Sequence, residues 1–331
     1  MNTPKDRYDA ALGCFLGACV GDAAGAFLEF TSHKPSKNEV KTAMTMPPSK
    51  VFYTAAGQIT DDSELALCLA QALAIGKQFE LEKIAQNYAY WIESRPFDIG
   101  STTISSLGCV QEPEWKRICE TKGYAVAMQK AAALRCMDSK ANGSLMRSAP
   151  LGIWGSRLEA KQLAQYAIED SRLSHPNESC GHAVACYSIA IASLIENQGD
   201  RDKAFQQVLN WSNTHACQEV RSWLQNAQDN VDEPYYPQVG FVKIAFIHAF
   251  RHLGLGTNYA AAIEETLLGG GDTDTNACIV GGLIGAACGA SQIPKSMQNA
   301  VLHCDTLQGE QPRPAFLHTT QLLTLTKQLL S

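Results

Sequence analysis

Apolar residues recur every three to four positions along most of the chain, the spacing that lines one face of an α-helix. Leu65–Gly76, Leu81–Ile92 and Gly123–Met137 show it, and so do Leu158–Ile168, His182–Ile195 and Gly240–Leu253. No stretch keeps the strict alternation of a half-buried strand. Ala and Leu, both good helix formers, are abundant, while β-branched runs are scarce. Pro and Gly clusters at Pro47-Pro48, Pro234–Pro237 and Gln311–Pro314 punctuate the pattern. None is long enough to link two domains. The pattern predicts an all-α fold: a single compact multi-helix domain over residues 1–331, with residues 1–6 flexible.

Two predicted helices carry small residues at every fourth position. In the first these are Gly13, Gly17, Gly21 and Gly25; in the last long apolar one they are Ala277, Gly281, Gly285 and Gly289. Spacing of four puts them on one helix face, where another backbone can approach closely. A glycine inside a helix costs about 1 kcal/mol relative to alanine, so close packing has to offset it. The stripes predict a tight contact between helices.

Composition narrows the class. Of 331 residues, 45% are hydrophobic and 18% charged, against about 25% charged in an average soluble protein. Most of the chain is therefore expected to be packed, and intrinsic disorder is excluded. The net charge of -6 leaves no basic excess for general binding to nucleic acid. Twelve cysteines are present, none in C-x-x-C spacing, so neither a zinc site nor a dithiol motif is signalled. They read as reduced, buried thiols of a cytoplasmic protein. The uncharged run Ala10–Gly21 is too short to span a bilayer. Asp6 and Asp9 offset Lys5 and Arg7 before it, so a signal peptide is rejected and no membrane partner is expected.

Two segments concentrate hard oxygen donors. Gly57-Gln58-Ile59-Thr60-Asp61-Asp62-Ser63 precedes one helix, and Gly269-Gly270-Gly271-Asp272-Thr273-Asp274-Thr275-Asn276 opens another. Capping alone would explain one Thr, Asp or Ser at each helix start. Four carboxylates exceed that need and would repel one another if buried without cations. Such donors suit Mg2+, Mn2+ or Ca2+. If the segments meet, they could hold two ions about 3.5–4 Å apart. A calcium EF-hand fails, since Ala277 stands where glycine is required and Leu283 where glutamate is required. A dinucleotide fingerprint fails at Tyr259.

Five landmarks then occur in order: GCFLGACVGDAAGAFLEF from Gly13 to Phe30, GQITDDS from Gly57 to Ser63, FDIGSTT from Phe97 to Thr103, ANGSLMR from Ala141 to Arg147, and GGDTDTNA from Gly270 to Ala277. With them the chain, from about Tyr8 to about Ala290, resembles the ADP-ribosylglycohydrolases. The stretch Asn197–Tyr236 adds no landmark. The resemblance implies an all-helical domain with a dinuclear metal site in a central cleft, and cleavage of ADP-ribose from protein side chains at the anomeric carbon of the distal ribose. It implies two divalent cations, Mg2+ or Mn2+, held by Thr60, Asp61, Asp62, Asp272, Asp274 and Thr275. Such ions would orient the sugar and lower the pKa of a water molecule. Glu29 and Asp98 are the implied catalytic carboxylates. Without the resemblance, Glu29 would read as a surface acid and Asp98 as the cap of the helix after Gly100. Asn142, Gly143, Ser144 and His175 are implied to contact the ADP-ribose. Arg147 could meet a phosphate or a core acid. Thr31–Ala56 is expected on the cleft rim.

An ADP-ribosylated protein, most of all one modified on arginine, is the expected substrate, with ADP-ribose as product and the enzyme acting as a monomer. Asp98-Ile99-Gly100 and Asn142–Arg147 carry that preference within the resemblance. A serine, O-acetyl or free-guanidine linkage, or a non-catalytic binding role, are the alternatives.

Overall fold

The computed structural model describes residues 6–31, 33–76 and 78–331. Residues 1–5 of the stretch expected to be flexible lie outside the described residues; Asp6 is the N-cap of the first helix, accepting from the Tyr8 amide. Among the described residues there is no strand, only one isolated antiparallel bridge between Ala141 and Phe241. The fold is all-α, as the periodicity predicts.

The helices are α1 (Arg7–Gly25), α2 (Lys37–Ala43), α3 (Asp61–Gly76), α4 (Leu81–Glu93), α5 (Ser101–Leu107) and α6 (Pro113–Lys122). Then come α7 (Tyr124–Arg135), α8 (Ala149–Trp154), α9 (Ala160–Ser171), α10 (Glu178–Glu196), α11 (Arg201–His215) and α12 (Gln218–Gln228). The last are α13 (Val242–Leu255), α14 (Tyr259–Gly269), α15 (Thr273–Cys288), α16 (Lys295–Leu302) and α17 (Leu322–Leu329).

The two small-residue stripes face each other. A β-carbon on Gly21 would fall on the Ala277 carbonyl, and one on Gly281 on the Gly17 carbonyl. Backbone lies on backbone, so no side chain fits between α1 and α15. Tyr259 Oη reaches the Gly17 carbonyl at 2.6 Å, and Tyr187 Oη reaches Ile279 at 2.8 Å. These bonds tie α14 and α10 to the pair. α10 is long and apolar enough to cross a membrane by length and composition, but 89% of its apolar window is buried inside the protein. It is a core helix.

Rigid contact between α1 and α15 sets two points in space. One is the start of α15; the other is Asp22 on α1, buried among apolar neighbours and directed at the start of α3. The chain beyond Ala290 adds a clamp. Arg313 grips the buried Glu64 of α3 with bonds of 2.7 and 3.0 Å, and Trp91 Nε1 donates to the same carboxylate at 2.7 Å.

Candidate active site

Capping accounts for only part of the acidic clusters, because carboxylates outside them also cap both helices. Asp22 accepts from the Thr60 amide at 3.0 Å, the Thr60 hydroxyl at 2.9 Å and the Ser63 amide at 3.1 Å. It closes the start of α3 from another helix. Glu29 does the same for α15, accepting from the Thr273 amide at 2.9 Å and its hydroxyl at 3.0 Å. Asp272, formally the N-cap of α15, makes no side-chain cap bond. Asp22 and Glu29 thus take one first-turn amide each, those of Ser63 and Thr273, while the Thr275 amide goes to Asp274 Oδ1 at 2.8 Å. Glu29 is buried, not a surface acid. Asp98 is no cap either: Gly100 is the N-cap of α5 and has no side-chain bond.

The two clusters meet at Asp62. Its Oδ2 lies 3.3 Å from both the Thr60 and the Thr275 hydroxyls. Its Oδ1 is buried without a partner, an expensive state for a lone carboxylate oxygen. Glu29, Asp272 and Asp274 offer oxygens within 4.8 Å of one another. Asn142 Nδ2 holds Asp272 Oδ2 at 2.8 Å. Among the described residues, no Lys or Arg pairs with any of these carboxylates.

Burial, then mutual repulsion, drives their pKa values upward. Asp61 is held well above the usual carboxylate range by burial and by Asp98. For Asp62 the second cause is Asp61, and for Asp274 it is Glu29. Glu29 is pushed up to about 7 by burial and by Asp272. Anionic oxygens crowded together without a positive partner, one of them orphaned, fit hard divalent cations as the missing charge.

Beside the clusters opens a cleft of about 360 Å3, within the range of about 300–1,000 Å3 usual for ligand pockets. Glu29, Asp61, Asp98, Asn142, Gly143, His175, Asp272, Asp274 and Thr275 line it; Thr60 and Asp62 lie behind. Ser144 is brought close but not in. It is fully buried, and its hydroxyl accepts from Ser171 at 3.0 Å. The rim also differs from expectation. Among the described residues, none from Thr31 to Ala56 lines the cleft. Phe30 stands at its lip, 69% exposed, with Phe52 supporting its ring edge-on at 5.8 Å.

His175 is set by residues that never reach the cleft. Arg147 Nη1 donates to Ser174 Oγ at 2.7 Å, and Ser174 Oγ lies 2.8 Å from His175 Nδ1. Arg147 can only donate, which leaves the Ser174 hydrogen for Nδ1. The imidazole thus carries its proton on Nε2, toward the cleft wall. Burial, then the Arg147 charge, pushes the His175 pKa down to about 3, so the ring stays neutral. Gly143 lets it approach: a β-carbon there would stand 2.8 Å from His175 Cε1. Arg147 itself pairs with the core acid Asp170, not with the cleft.

Sequence reasoning missed Asp22, Thr103 and the Val239-Gly240 wall. Asp22 was legible as the one charge between Gly13 and Gly25. Thr103 lines the cleft within a quoted landmark. Val239 and Gly240 carried no signal, nor did Tyr236, whose hydroxyl accepts from the Gly271 amide at 2.9 Å.

The family model for ADP-ribosylglycohydrolase matches residues 3–328, further in both directions than the landmarks reach. An ADP-ribosyl-[dinitrogen reductase] glycohydrolase of Rhodospirillum rubrum is 27% identical over 88% of this chain and 90% of its own. An ADP-ribosylarginine hydrolase Tri1 of Pseudomonas putida is 26% identical over 88% of this chain and 74% of its own. A solved structure described as an ADP-ribosylglycohydrolase-related protein complex shares the fold, with a TM-score of 0.72 at 20% identity and 98% of each chain covered. With its acidic clusters joined at one cleft and the family match spanning nearly its whole length, the chain belongs to the ADP-ribosylglycohydrolase family and is an ADP-ribosyl glycohydrolase.

Proposed function

We propose that this chain removes ADP-ribose from modified arginine side chains, cleaving at the anomeric carbon of the distal ribose with two divalent cations, Mg2+ or Mn2+. The observation that carries the reading is Asp98 in the cleft wall, within hydrogen-bonding reach of Asp61 and near the Asp272 carboxylate. A carboxylate-rich wall suits a cationic guanidinium leaving group better than a neutral serine hydroxyl. The relatives named for dinitrogen reductase and for ADP-ribosylarginine point the same way.

Cations held by Thr60, Asp61, Asp62, Asp272, Asp274 and Thr275 would supply Lewis-acid polarisation and offset the negative charge. The chain's own residues divide the remaining work. Asn142 fixes the orientation of Asp272, and Glu29 fixes the first turn of α15. Asp98 is the carboxylate placed to take a proton from an attacking water. It also faces the oxocarbenium character that builds on the ribose. His175 presents its Nε2–H to an oxygen of the bound nucleotide.

The test is release of free ADP-ribose from an arginine-modified protein and, in parallel, from a serine-modified peptide, with Mg2+ or Mn2+ present. Faster release from arginine is expected. Release from serine alone would overturn the choice of linkage. Release from neither, by folded and metal-loaded protein, would overturn the catalytic reading.

A further inference from the structure

A second group of metal-ligating side chains lies on the outer side of α10. Glu178 opens that helix, and His182 follows one turn later on the same face. Cys217, the N-cap of α12, completes the group. One donor atom from each lies within 4.8 Å of the others. The three come from two packed helices, so the arrangement is built in and does not depend on a loose segment. Trp211 braces the His182 ring edge-on at 6.0 Å between centroids.

Glu178 makes no hydrogen bond or ion pair among the described residues. His182 Nδ1 accepts from the Cys217 amide at 2.9 Å, so its lone pair already points at Cys217. An ion binding at Nδ1 would displace the Cys217 amide from that lone pair. Ser179 Oγ sits 3.5 Å from Cys217 Sγ and donates to Glu219 at 2.5 Å.

We propose that Glu178, His182 and Cys217 form a surface site for a thiophilic divalent cation of the Zn2+ class, with water as the fourth ligand. Thiolate, imidazole and carboxylate together are a donor set that Zn2+ accepts and Mg2+ does not favour. The site is therefore chemically separate from the oxygen-only clusters of the cleft. Cysteine spacing carries no zinc signature because one ligand pair is i,i+4 on a helix and the cysteine lies 35 residues beyond the histidine. An ion here would join the start of α10 to the start of α12, directly after the Ser174-His175 turn.

The experiment uses the whole metal-free protein, first saturated with Mg2+ and then titrated with Co2+ as a spectroscopic stand-in for Zn2+. The expected result is a thiolate-to-cobalt charge-transfer band in the near ultraviolet that saturates at one equivalent and is removed by one equivalent of Zn2+. Cys217→Ser is expected to lose the band while keeping wild-type helicity, and His182→Gln to need far more Co2+ to reach it. A cobalt spectrum without a thiolate band in the wild type, or a band that survives in Cys217→Ser, would overturn the proposal.

Discussion

Arg147 is a cation that no water reaches. Its guanidinium bonds Asp170 Oδ2 at 3.2 Å and the Asp170 carbonyl at 2.9 Å, and lies 4.8 Å over the Tyr88 ring. Tyr88 Oη donates to Asp170 Oδ1 at 2.8 Å. Removing the cation would leave a buried carboxylate unpaired, so Arg147→Met is expected to lower unfolding free energy by about 3–5 kcal/mol. Urea denaturation measures this, and adding Asp170→Asn should recover part of the loss. Burial, and then the charge of Arg147, keeps His175 neutral. Its pKa falls to about 3 from the ordinary 6.5. Between those values the unfolded chain binds a proton that the folded chain refuses, so stability drops as pH falls through that window. One such group contributes a slope of up to about 1.4 kcal/mol per pH unit. His175→Asn is expected to flatten the loss of stability between pH 6.5 and 4, and an unchanged slope would contradict a neutral, buried ring. From the sequence, Arg147 had two readings of equal standing. Its partner lies 23 residues away in α9, and no local pattern announces a contact between helices.

Helix starts and glycine stripes organise the site at the next scale. The stripes on α1 and α15 were legible because spacing of four maps directly onto a helix face. That they face each other was not. Nothing in Gly13–Gly25 names Ala277–Gly289 as its partner, and only the fold brings them together. Their effect is testable against a control. Gly17→Ala places a β-carbon 2.5 Å from the Gly281 carbonyl, which has nowhere to go. It is expected to destabilise by at least about 2 kcal/mol. Gly181→Ala, in α10, meets only Ile168 side-chain atoms at 3.5 Å, and is expected to be neutral or to stabilise by up to about 1 kcal/mol through helix propensity. Thermal unfolding of the two variants compares them directly. Equal effects would mean that α1 and α15 are not in backbone contact. The acidic segments were also legible as more than caps, on charge alone. That Asp22 and Glu29 also cap these helices was not, since both reach them from outside.

Across the whole molecule, the cleft gathers residues that lie far apart in sequence, from Glu29 to Thr275. The four carboxylates of Asp61, Asp62, Asp272 and Asp274 were found by motif, and Asp98 and Glu29 through the family resemblance. The Phe30 lip and the Val239-Gly240 wall were not found, because a single aromatic or glycine in a loop has many commoner explanations. The clamp of Arg313 on Glu64 was missed for a related reason, since it lies beyond the last landmark and acts on the back of α3. Buried carboxylates meeting at Asp62 need cations to stay ionised, and that need unites the parts. The most direct measurement is the rate of ADP-ribose release from an arginine-modified protein by wild type and by Asp62→Asn, each with Mn2+ and with excess chelator. The account predicts release by wild type only when the metal is present, and a loss of at least about 1,000-fold, or 4 kcal/mol in barrier, in folded Asp62→Asn. Undiminished release in chelator, or by Asp62→Asn, would contradict it.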